Sequence, residues 1–433
     1  MLPRAAIIDR SPIIIKPDPT RTVVRPFSPG DPAPFAMSDL PRALRIADRV
    51  LALTTATIDA RLADFMQSLS ERHRDVPAVL DRRYGELRDI FAGREVSHVQ
   101  ARLIAAYMLE EYSFEAAALF NPSMVPHWDQ SRAAPGSTPF VMSLRGIGEG
   151  HVSSVTFRTG RWSAADGFTI DPPGTVSVAP VIEMMGRGDG DVIATLHCGG
   201  SELLSETVLF PILPSQARGI EDMRLVRFTE EDGSTRYLGT YSAFNGTDVR
   251  QELLETPDFV TFTMRRISGV VAGAKGLAIF PRRIGGRYYA LSRHDNENVW
   301  LMASDSLYEW SEGERLLRPE HEWEFVQLGN CGSPLEIEEG WLVLTHGVGA
   351  LRNYAIGACL LDRDDPSRVL RRAVLPVLEP SPEDRDGYVP NVVYSCGGMI
   401  CGRTLLLPYG VADTFATFAT VDVDRLLDSM ESV

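Results

Sequence analysis

The segment Gly219–Arg227 (GIEDMRLVR) places two carboxylates and two guanidinium groups at the start of an apolar stretch. Glu221 and Asp222 are the acids, and Arg224 and Arg227 are the bases. Glycoside cleavage needs a proton donor such as an acid at the mouth of a strand, flanked by arginine, and its oxocarbenium-like transition state favours nearby negative charge. A solvated turn with a surface ion pair would show the same residues, so both interpretations stay open at this point.

Further charged residues recur near the ends of later apolar stretches. Lys275 precedes one stretch, Arg293 follows another, and Glu336 and His346 stand at the two ends of a turn-plus-strand pattern. A single charge of this kind is typical of a protein surface. Their recurrence at strand ends is what a ring of strand units around a central pocket requires.

The sequence shows no pattern typical of a resident cofactor, a metal or a disulfide framework. There is no HExxH motif and no phosphate-binding glycine loop. None of the cysteines has CxxC spacing, which argues against a zinc ribbon; they are Cys198, Cys331, Cys359, Cys396 and Cys401. The first ten residues lack the apolar core of a secretory signal. We therefore expect no metal, no cofactor, and cytoplasmic residence with reduced thiols.

The elements that would position these residues change in type along the chain. Residues 1–38 contain eight prolines and are expected to form an extended arm that needs a surface to pack on. Residues 39–120 repeat apolar side chains at helical spacing and predict an α-helical extension. From 138 to 425, short apolar runs alternate with Gly, Asp, Asn and Pro, which predicts a mainly β domain over 121–433. That length suits a propeller better than one sandwich.

The overall charge limits the classes of partner. The chain has 433 residues, with 43 Lys and Arg against 58 Asp and Glu, and a formal net charge of −15. This balance argues against nucleic acid and against an anionic membrane surface. No apolar run reaches the length of ~18–20 residues that a membrane span needs. A small anion in a locally basic pocket is still permitted.

Ordered motifs over roughly residues 115–428 resemble glycoside hydrolase family 130. In chain order the motifs are Phe120-Asn-Pro-Ser123, Gly219–Arg224, Lys275 with Phe280-Pro281, Gly340-Trp-Leu with His346-Gly347, Leu360-Leu-Asp362, Val389–Val393 with Cys396-Gly397, and Pro408–Asp413. The resemblance implies a five-bladed β-propeller and an inverting enzyme. Such an enzyme cleaves β-mannooligosaccharides, with inorganic phosphate as co-substrate and mannose 1-phosphate as product.

The resemblance also implies roles for single residues. Asp222 matches the general acid of the family, which acts through a sugar hydroxyl, and Met223 replaces the usual proline of that motif. The positions implied to bind the mannoside are Asn121, Arg145, Arg224 and Asp413.

The implied phosphate pocket is where the sequence departs from the family. Lys275 and Arg293 reproduce the expected cation pair, but Glu336 stands where a further lysine is usual. A carboxylate would repel phosphate by about 1–4 kcal/mol at close range. Glu336 therefore has three interpretations: a base for hydrolysis, an ion-pair partner of Lys275 or Arg293, or a surface residue. In the second, His346 and Arg352 would restore phosphate binding.

Alternatives to a phosphorylase stay open from the sequence. An inverting β-mannoside hydrolase would use Glu336 as its base, and a noncatalytic propeller would bind sugars without turnover. The helical extension would either pack on the propeller edge or dock a partner, and a homo-oligomer is compatible with the sequence. Aromatic candidates for sugar stacking are Trp128, Tyr241, Phe244, Trp310 and Tyr388.

Overall fold

The computed structural model describes residues 7–30, 40–131, 133–184 and 192–433. The chain is mainly β and divides into two compact units. The β-unit contains the described residues of 1–19, 114–173 and 180–433. The helical unit contains those of 20–113 and 174–179. All residues singled out above as site candidates belong to the β-unit.

In its described residues, the helical unit contains four α-helices and one antiparallel pair of strands that are distant in sequence. Its helices are Arg42–Leu51, Thr55–Ser70, Val76–Leu87 and His98–Ala106, and its strands are Thr22–Pro26 and Leu109–Ser113. Ser97 and Gln100 form a capping box that satisfies backbone N–H groups at the start of the last helix. Apolar side chains such as Ala47, Ile104 and Met108 form a core of this unit. Among the described residues, no helix has both the length and the apolar character to cross a bilayer.

Most strands of the β-unit, as far as it is described, are grouped here into five antiparallel meanders, numbered 1 to 5. Meanders 1 and 2 belong to one 11-stranded sheet, in which Gly219 pairs with Ser153 in parallel. Meander 1 comprises Ala118–Pro126, Ser137–Ile147, Ser153–Ser163 and Gly167–Ile170. Meander 2 comprises Gly219–Thr229, Thr235–Phe244, Val249–Thr256 and Thr261–Arg266, extended by Val192–His197 and Val181–Met184. Meander 3 comprises Ala278–Ile279, Tyr288–Ser292, Val299–Ser304 and Glu312–Leu317.

The remaining strands complete the β-unit. Meander 4 comprises Gln327–Asn330, Leu335–Ile337, Gly340–Val348, Tyr354–Leu361, Val369–Arg372 and Glu431–Ser432. Meander 5 comprises Val393–Tyr394, Met399–Cys401, Thr404–Val411, Phe415–Asp422 and Ile8–Ile15. Short additional strands are Val208–Leu209, Ser268–Gly269 and Glu309–Trp310, and one helix, Val423–Asp428, lies near the C-terminus. The meanders bury apolar side chains such as Leu344, Phe157 and Met302.

Consecutive meanders contact each other in a cyclic order. Each contact is a hydrogen bond donated by a backbone N–H, and meander 5 returns to meander 1. The five contacts are Leu225 N–H to Ser123 Oγ (2.9 Å), Thr229 N–H to Pro281 O (2.8 Å), Leu328 N–H to Glu297 O (3.0 Å), Tyr354 N–H to Asn391 O (2.9 Å) and Cys396 N–H to Pro122 O (2.8 Å).

The described elements differ from the predicted boundaries at two places. The expected arm, of which residues 1–6 and 31–38 lie outside the described residues, contains the strand Ile8–Ile15, which pairs with Phe415–Asp422. The expected helical stretch 39–120 includes two strands near its end, and the β-unit resumes at Phe114 rather than at 121. Local periodicity does not show that an N-terminal segment pairs with a strand some 400 residues later in the chain.

Candidate active site

Two β-bulges bring polar side chains together at the first strands of meanders 1 and 2. The pairing register shifts between Phe120 and Ser123, and again between Glu221 and Arg224. Within these bulges Asn121 has φ 48° and Asp222 has φ 52°. Asn and Asp tolerate this left-handed region better than most residues. The bulges aim both side chains at one point, where Asn121 Nδ2 donates to Asp222 Oδ1 at 2.7 Å.

Arg145 joins both acids from the second strand of meander 1. Its Nη1 donates to Asp222 Oδ1 at 3.1 Å, and its Nη2 donates to Glu221 Oε1 at 2.8 Å. Its Nε donates to Ser153 Oγ at 2.9 Å, which fixes the plane of the guanidinium. A rigid fork of this kind holds two carboxylates in a defined orientation.

Lys275 approaches from the loop before meander 3. Its Nζ donates to Glu221 Oε2 at 2.9 Å. Glu221 therefore bridges Arg145 and Lys275, and this bridge holds Lys275 beside Asp222.

Arg224 lies buried beneath Asp222. Its Nη1 donates to the backbone oxygen of Asp222 at 3.2 Å, and its Nη2 donates to Tyr394 Oη at 2.8 Å. In the part of the chain that the structure describes, Arg224 makes no ion pair with a carboxylate side chain, and its Nε has no hydrogen-bond partner. A buried guanidinium with no carboxylate in direct contact is only partly compensated, so this position favours an added anion.

Arg293 and His346 occupy the same interior. A Cβ built on Gly276 would lie 2.8 Å from Arg293 Cγ, and one built on Gly329 would lie 2.8 Å from Arg293 Cδ and would overlap the ring of His346. The two glycines thus make room for these side chains. Buried polar atoms without a hydrogen-bond partner in the described chain include Arg293 Nε and both ring nitrogens of His346, as well as both side-chain polar atoms of Asn330, the residue after Gly329.

Burial and the neighbouring cations set the protonation of His346. Desolvation lowers the pKa of His346 well below its ordinary value, and Arg293 and Arg224 lower it further. The imidazole is therefore neutral at physiological pH. A neutral ring donates one hydrogen bond and accepts another, so it suits a hydroxyl or a phosphate oxygen without adding charge.

The two aspartates of the site titrate in opposite directions. Burial raises the pKa of Asp222, but Arg145, Lys275 and Arg224 outweigh burial and hold it below its ordinary value. Burial raises the pKa of Asp413 to about 6, and the negative charge of Asp222 adds to that rise. Asp413 has φ 50° in the turn between two strands of meander 5. Such a split is typical of carboxylates with different tasks.

Glu336 is not part of this cluster. Its carboxylate accepts from Arg282 Nη2 at 2.7 Å and from Arg282 Nε at 3.0 Å, and this hydrogen bonding lowers the pKa of Glu336. It lines a cavity of about 240 Å³ together with Val226 and Arg227, further along the strand that begins at Gly219. The interpretation as a partner of Lys275 or Arg293 was wrong. Arg282 follows the first strand of meander 3, whereas Glu336 lies on meander 4. The sequence alone could not show that these two residues form an ion pair.

The aromatic residues predicted to stack on sugar rings differ in how deeply they are buried. Tyr241 and Trp310 are fully buried core residues, and Phe244 is half-buried. Trp128 stacks on His127 with ring centroids 3.8 Å apart. Tyr388 is 64% exposed, and its backbone N–H donates to Thr414 Oγ1 at 3.0 Å beside the turn of Asp413.

Sequence reasoning missed Glu221, Asn330 and Tyr394 as members of the cluster. Glu221 adjoins the predicted acid, so its charge was visible but its bridging role was not. Asn330 and Tyr394 carry no sequence signal beyond their positions near glycines. Within the described ranges, no three His, Cys, Asp or Glu side chains are grouped as ligands of a metal ion would be. All five cysteines are free thiols.

Comparison with protein-family models places the chain among the glycoside hydrolases. The model for family 130, described as β-1,4-mannooligosaccharide phosphorylase, matches residues 201–432. The match covers more than half of the chain, and the chain belongs to glycoside hydrolase family 130. Asn121 and Arg145 lie outside the matched residues, so their place in the cluster rests on the structure.

Similar proteins agree with this assignment. A β-1,2-mannobiose phosphorylase of Listeria innocua is 34% identical over 232 residues, which are 52% of this chain and 63% of that protein. A 1,2-β-oligomannan phosphorylase of Thermoanaerobacter sp. is 32% identical over 227 residues, which are 51% of this chain and 74% of that protein.

The fold is also similar to a solved structure. The complex of the Listeria innocua β-1,2-mannobiose phosphorylase with β-1,2-mannobiose has a TM-score of 0.52 and 23% identity to this chain. The similarity covers 73% of this chain and 92% of that one, and it concerns the fold.

Proposed function

We propose that this chain is an inverting β-mannoside phosphorylase. It would cleave a β-mannoside with inorganic phosphate and release mannose 1-phosphate and the shortened sugar. The observation that carries the proposal is one cluster in which Asp222 lies with Arg224 and Arg293, two buried cations that make no direct ion pair with a carboxylate among the described residues. Family membership and the phosphorylases among its relatives support it.

We propose that the β-unit is a five-bladed propeller, with each meander as one blade. Five antiparallel groups with a cyclic order of contacts support this architecture. In such a fold the first strand of each blade lies nearest the axis, so loops from all blades reach one pocket. Asn121, Asp222 and Lys275 stand on or just before first strands, as this arrangement requires.

The charge of the cluster supports phosphate as the attacking group. Its cations are Arg145, Arg224, Lys275 and Arg293, and its carboxylates are Glu221, Asp222 and Asp413. The excess is one positive charge when all three carboxylates are ionised, and two when Asp413 is protonated. A phosphate dianion offsets this excess, whereas water does not.

The proposed mechanism uses one carboxylic acid. An oxygen of phosphate attacks the anomeric carbon from the face opposite the leaving group, and the glycosidic C–O bond breaks. The proton for the leaving oxygen comes from Asp222 through a sugar hydroxyl. Because phosphate supplies the nucleophile, no second carboxylate has to activate water. Asn121, Arg145 and Asp413 would hold the mannosyl group.

Phosphate and Glu221 would share Lys275. In the structure Lys275 donates to Glu221, so an incoming phosphate competes for the same ammonium. The ammonium has three donors, which permits both contacts at once. Arg293 and His346 would complete the phosphate site from meanders 3 and 4.

No comparable arrangement of residues supports hydrolysis. It would need a carboxylate base that activates water, and Glu336, the residue expected for that role, is held by Arg282 outside the cluster. No contact in the described chain favours a sugar-binding protein without turnover over an enzyme. Cytoplasmic residence and the oligomeric state stay predictions.

Product analysis tests the proposal. The chain is incubated with β-1,2-mannobiose and with β-1,4-mannobiose, each with and without inorganic phosphate. We expect α-mannose 1-phosphate only when phosphate is present. Free mannose formed at the same rate without phosphate would establish a hydrolase and overturn the proposal.

Two variants assign the acid in the same assay. Asp222→Asn keeps the shape of the side chain and removes the proton, so we expect a loss of about 10²–10⁴-fold in rate. Asp232→Asn, an exposed aspartate in a turn, is the matched control and is expected to keep the wild-type rate. Glu336→Gln separates the interpretations of that residue, because only a hydrolytic base would lose activity.

A further inference from the structure

The loop that carries Lys275 is attached to meander 2 by a buried glutamine. Gln251 is 1% exposed and lies on the strand Val249–Thr256. Its backbone N–H donates to Ala272 O at 2.9 Å, and its side-chain Nε2 donates to Ala274 O at 2.8 Å. The backbone and the side chain of Gln251 thus hold the carbonyl groups of Ala272 and Ala274, shortly before Lys275.

A second attachment lies on the other side of Lys275. The hydroxyl of Thr240 donates to the backbone oxygen of Leu277. Lys275 and Gly276 are therefore the two residues between anchored positions. Gly276 has φ 92°, and its Cα packs directly over the side chain of Arg293. Movement of this loop would displace Lys275 and would also loosen the packing on Arg293.

We propose that Gln251 is a positioning residue for the phosphate site. It touches neither phosphate nor the mannoside, and it acts by fixing the loop that presents Lys275 and covers Arg293. The inference rests on the proposed function, in which these two cations bind phosphate.

The side-chain amide is the part of Gln251 that can be tested alone. Its Nε2 also donates to Ser242 Oγ at 3.0 Å, so the amide joins two strands and the loop at one point. A methionine has nearly the same length and volume but no donor. The change Gln251→Met therefore keeps the packing and releases Ala274 O.

The test measures the KM for phosphate and the KM for mannobiose independently. For Gln251→Met we expect the KM for phosphate to rise about three- to tenfold, the value of one internal hydrogen bond. The KM for mannobiose and the kcat at saturating phosphate are expected to stay within about twofold of wild type. A merely structural role would change all three constants together or lower only the folded fraction.

Two further variants control this experiment. Thr240→Val removes the second anchor and is expected to raise the KM for phosphate in the same way. Gln216→Met removes another fully buried glutamine of the β-unit, whose amide donates to Tyr241 Oη and Glu252 Oε2 instead of to this loop. It is expected to lower the melting temperature and to leave the KM for phosphate unchanged.

The outcomes distinguish this inference from the proposed function. If the wild-type chain cleaves mannobiose without any need for phosphate, the proposed function and the inference both fail. If the wild type requires phosphate and folded Gln251→Met and Thr240→Val keep its KM for phosphate, only the inference fails. A rise in that KM in Gln216→Met as well would also overturn it.

Discussion

Asp222 shows how one residue can be strained, buried and still ionised. Its left-handed backbone places the carboxylate between Asn121 and Arg145. Three cations overcome the cost of burial and lower its pKa. A general acid needs the opposite state, because it must hold a proton when the glycosidic bond breaks.

Binding of phosphate is expected to reverse this shift. Negative charge beside Lys275 and Arg224 offsets their effect on Asp222, so its pKa rises and a proton enters with phosphate. We predict net proton uptake on phosphate binding, measured by titration calorimetry in two buffers with different ionisation enthalpies. The titration uses a pH at which free phosphate is a dianion. Uptake should decrease in Asp222→Asn, and equal heats in both wild-type titrations would contradict the prediction.

Asp413 predicts a stability effect that depends on pH. Its folded pKa of about 6 exceeds the ordinary aspartate pKa of 3.8, so the folded state disfavours the ionised form. The free-energy cost of ionising Asp413 in the folded state is absent below the unfolded pKa. It grows between the unfolded and the folded pKa and is complete above pH 6. Asp413→Asn should therefore raise the free energy of unfolding by about 3 kcal/mol at pH 8 and by about half as much at pH 5.

Urea unfolding of Asp413→Asn and wild type at the two pH values checks this expectation. Asp386→Asn, an exposed aspartate in the same part of the chain, serves as the control and should show no difference between them. A gain in stability that is equal at pH 5 and pH 8 would contradict the assignment. The stabilised Asp413 variant should lose activity, since strained polar sites trade stability for function.

At the scale of elements, the strand ends explain which site residues could be predicted. Spacing along the chain is enough to nominate Asp222, Lys275 and Arg293, because each stands beside a recognisable apolar strand. Whether a charged side chain faces the pocket depends on the bulge or turn that carries it. Glu336 shows the limit, since Arg282 approaches it through tertiary structure that no local pattern contains.

The strand Gln327–Asn330 offers a test of how tightly the cations are packed. A methyl group on Gly329 would overlap the ring of His346 and lie 2.8 Å from Arg293 Cδ. Gly329→Ala should displace both side chains and raise the KM for phosphate about tenfold, since overpacking costs about 1–3 kcal/mol. Phosphate saturation curves measure this effect. Gly199→Ala, where a Cβ meets nothing within 4 Å, is the control; a folded Gly329→Ala with wild-type KM would contradict the packing argument.

At the scale of the molecule, the sequence predicts the β class and the change from helical to β texture. It does not predict that the N-terminal segment forms a strand of the β-unit. Proline content over 1–38 indicates an extended arm, and extended backbone is what a strand needs, but the partner strand lies near the other end of the chain. Only the register of Ile8 with Val421 and of Ile15 with Ala416 shows that this segment completes meander 5.

Removal of the N-terminal strand is expected to weaken the whole β-unit. Ile8 packs on the core of meanders 4 and 5, and Ile13 and Ile15 pack on the core shared by meanders 1 and 5. Deleting residues 1–16 removes these side chains, uncovers the apolar cores on which they pack and leaves the strand Phe415–Asp422 with an unpaired edge. At about 1 kcal/mol for each half-buried isoleucine, the free energy of unfolding should fall by about 3 kcal/mol or more.

Thermal and urea unfolding measure that loss, and a chain that lacks only residues 1–6 is the matched control because it keeps Ile8–Ile15. Since Asp413 lies in the turn that leads into Phe415–Asp422, the longer deletion should also lower the rate of mannobiose cleavage. If the chain without residues 1–16 unfolds like the control, the pairing of the two terminal segments contributes nothing to the stability of the β-unit. In that case the five meanders would have to be stabilised by their backbone contacts and cores alone.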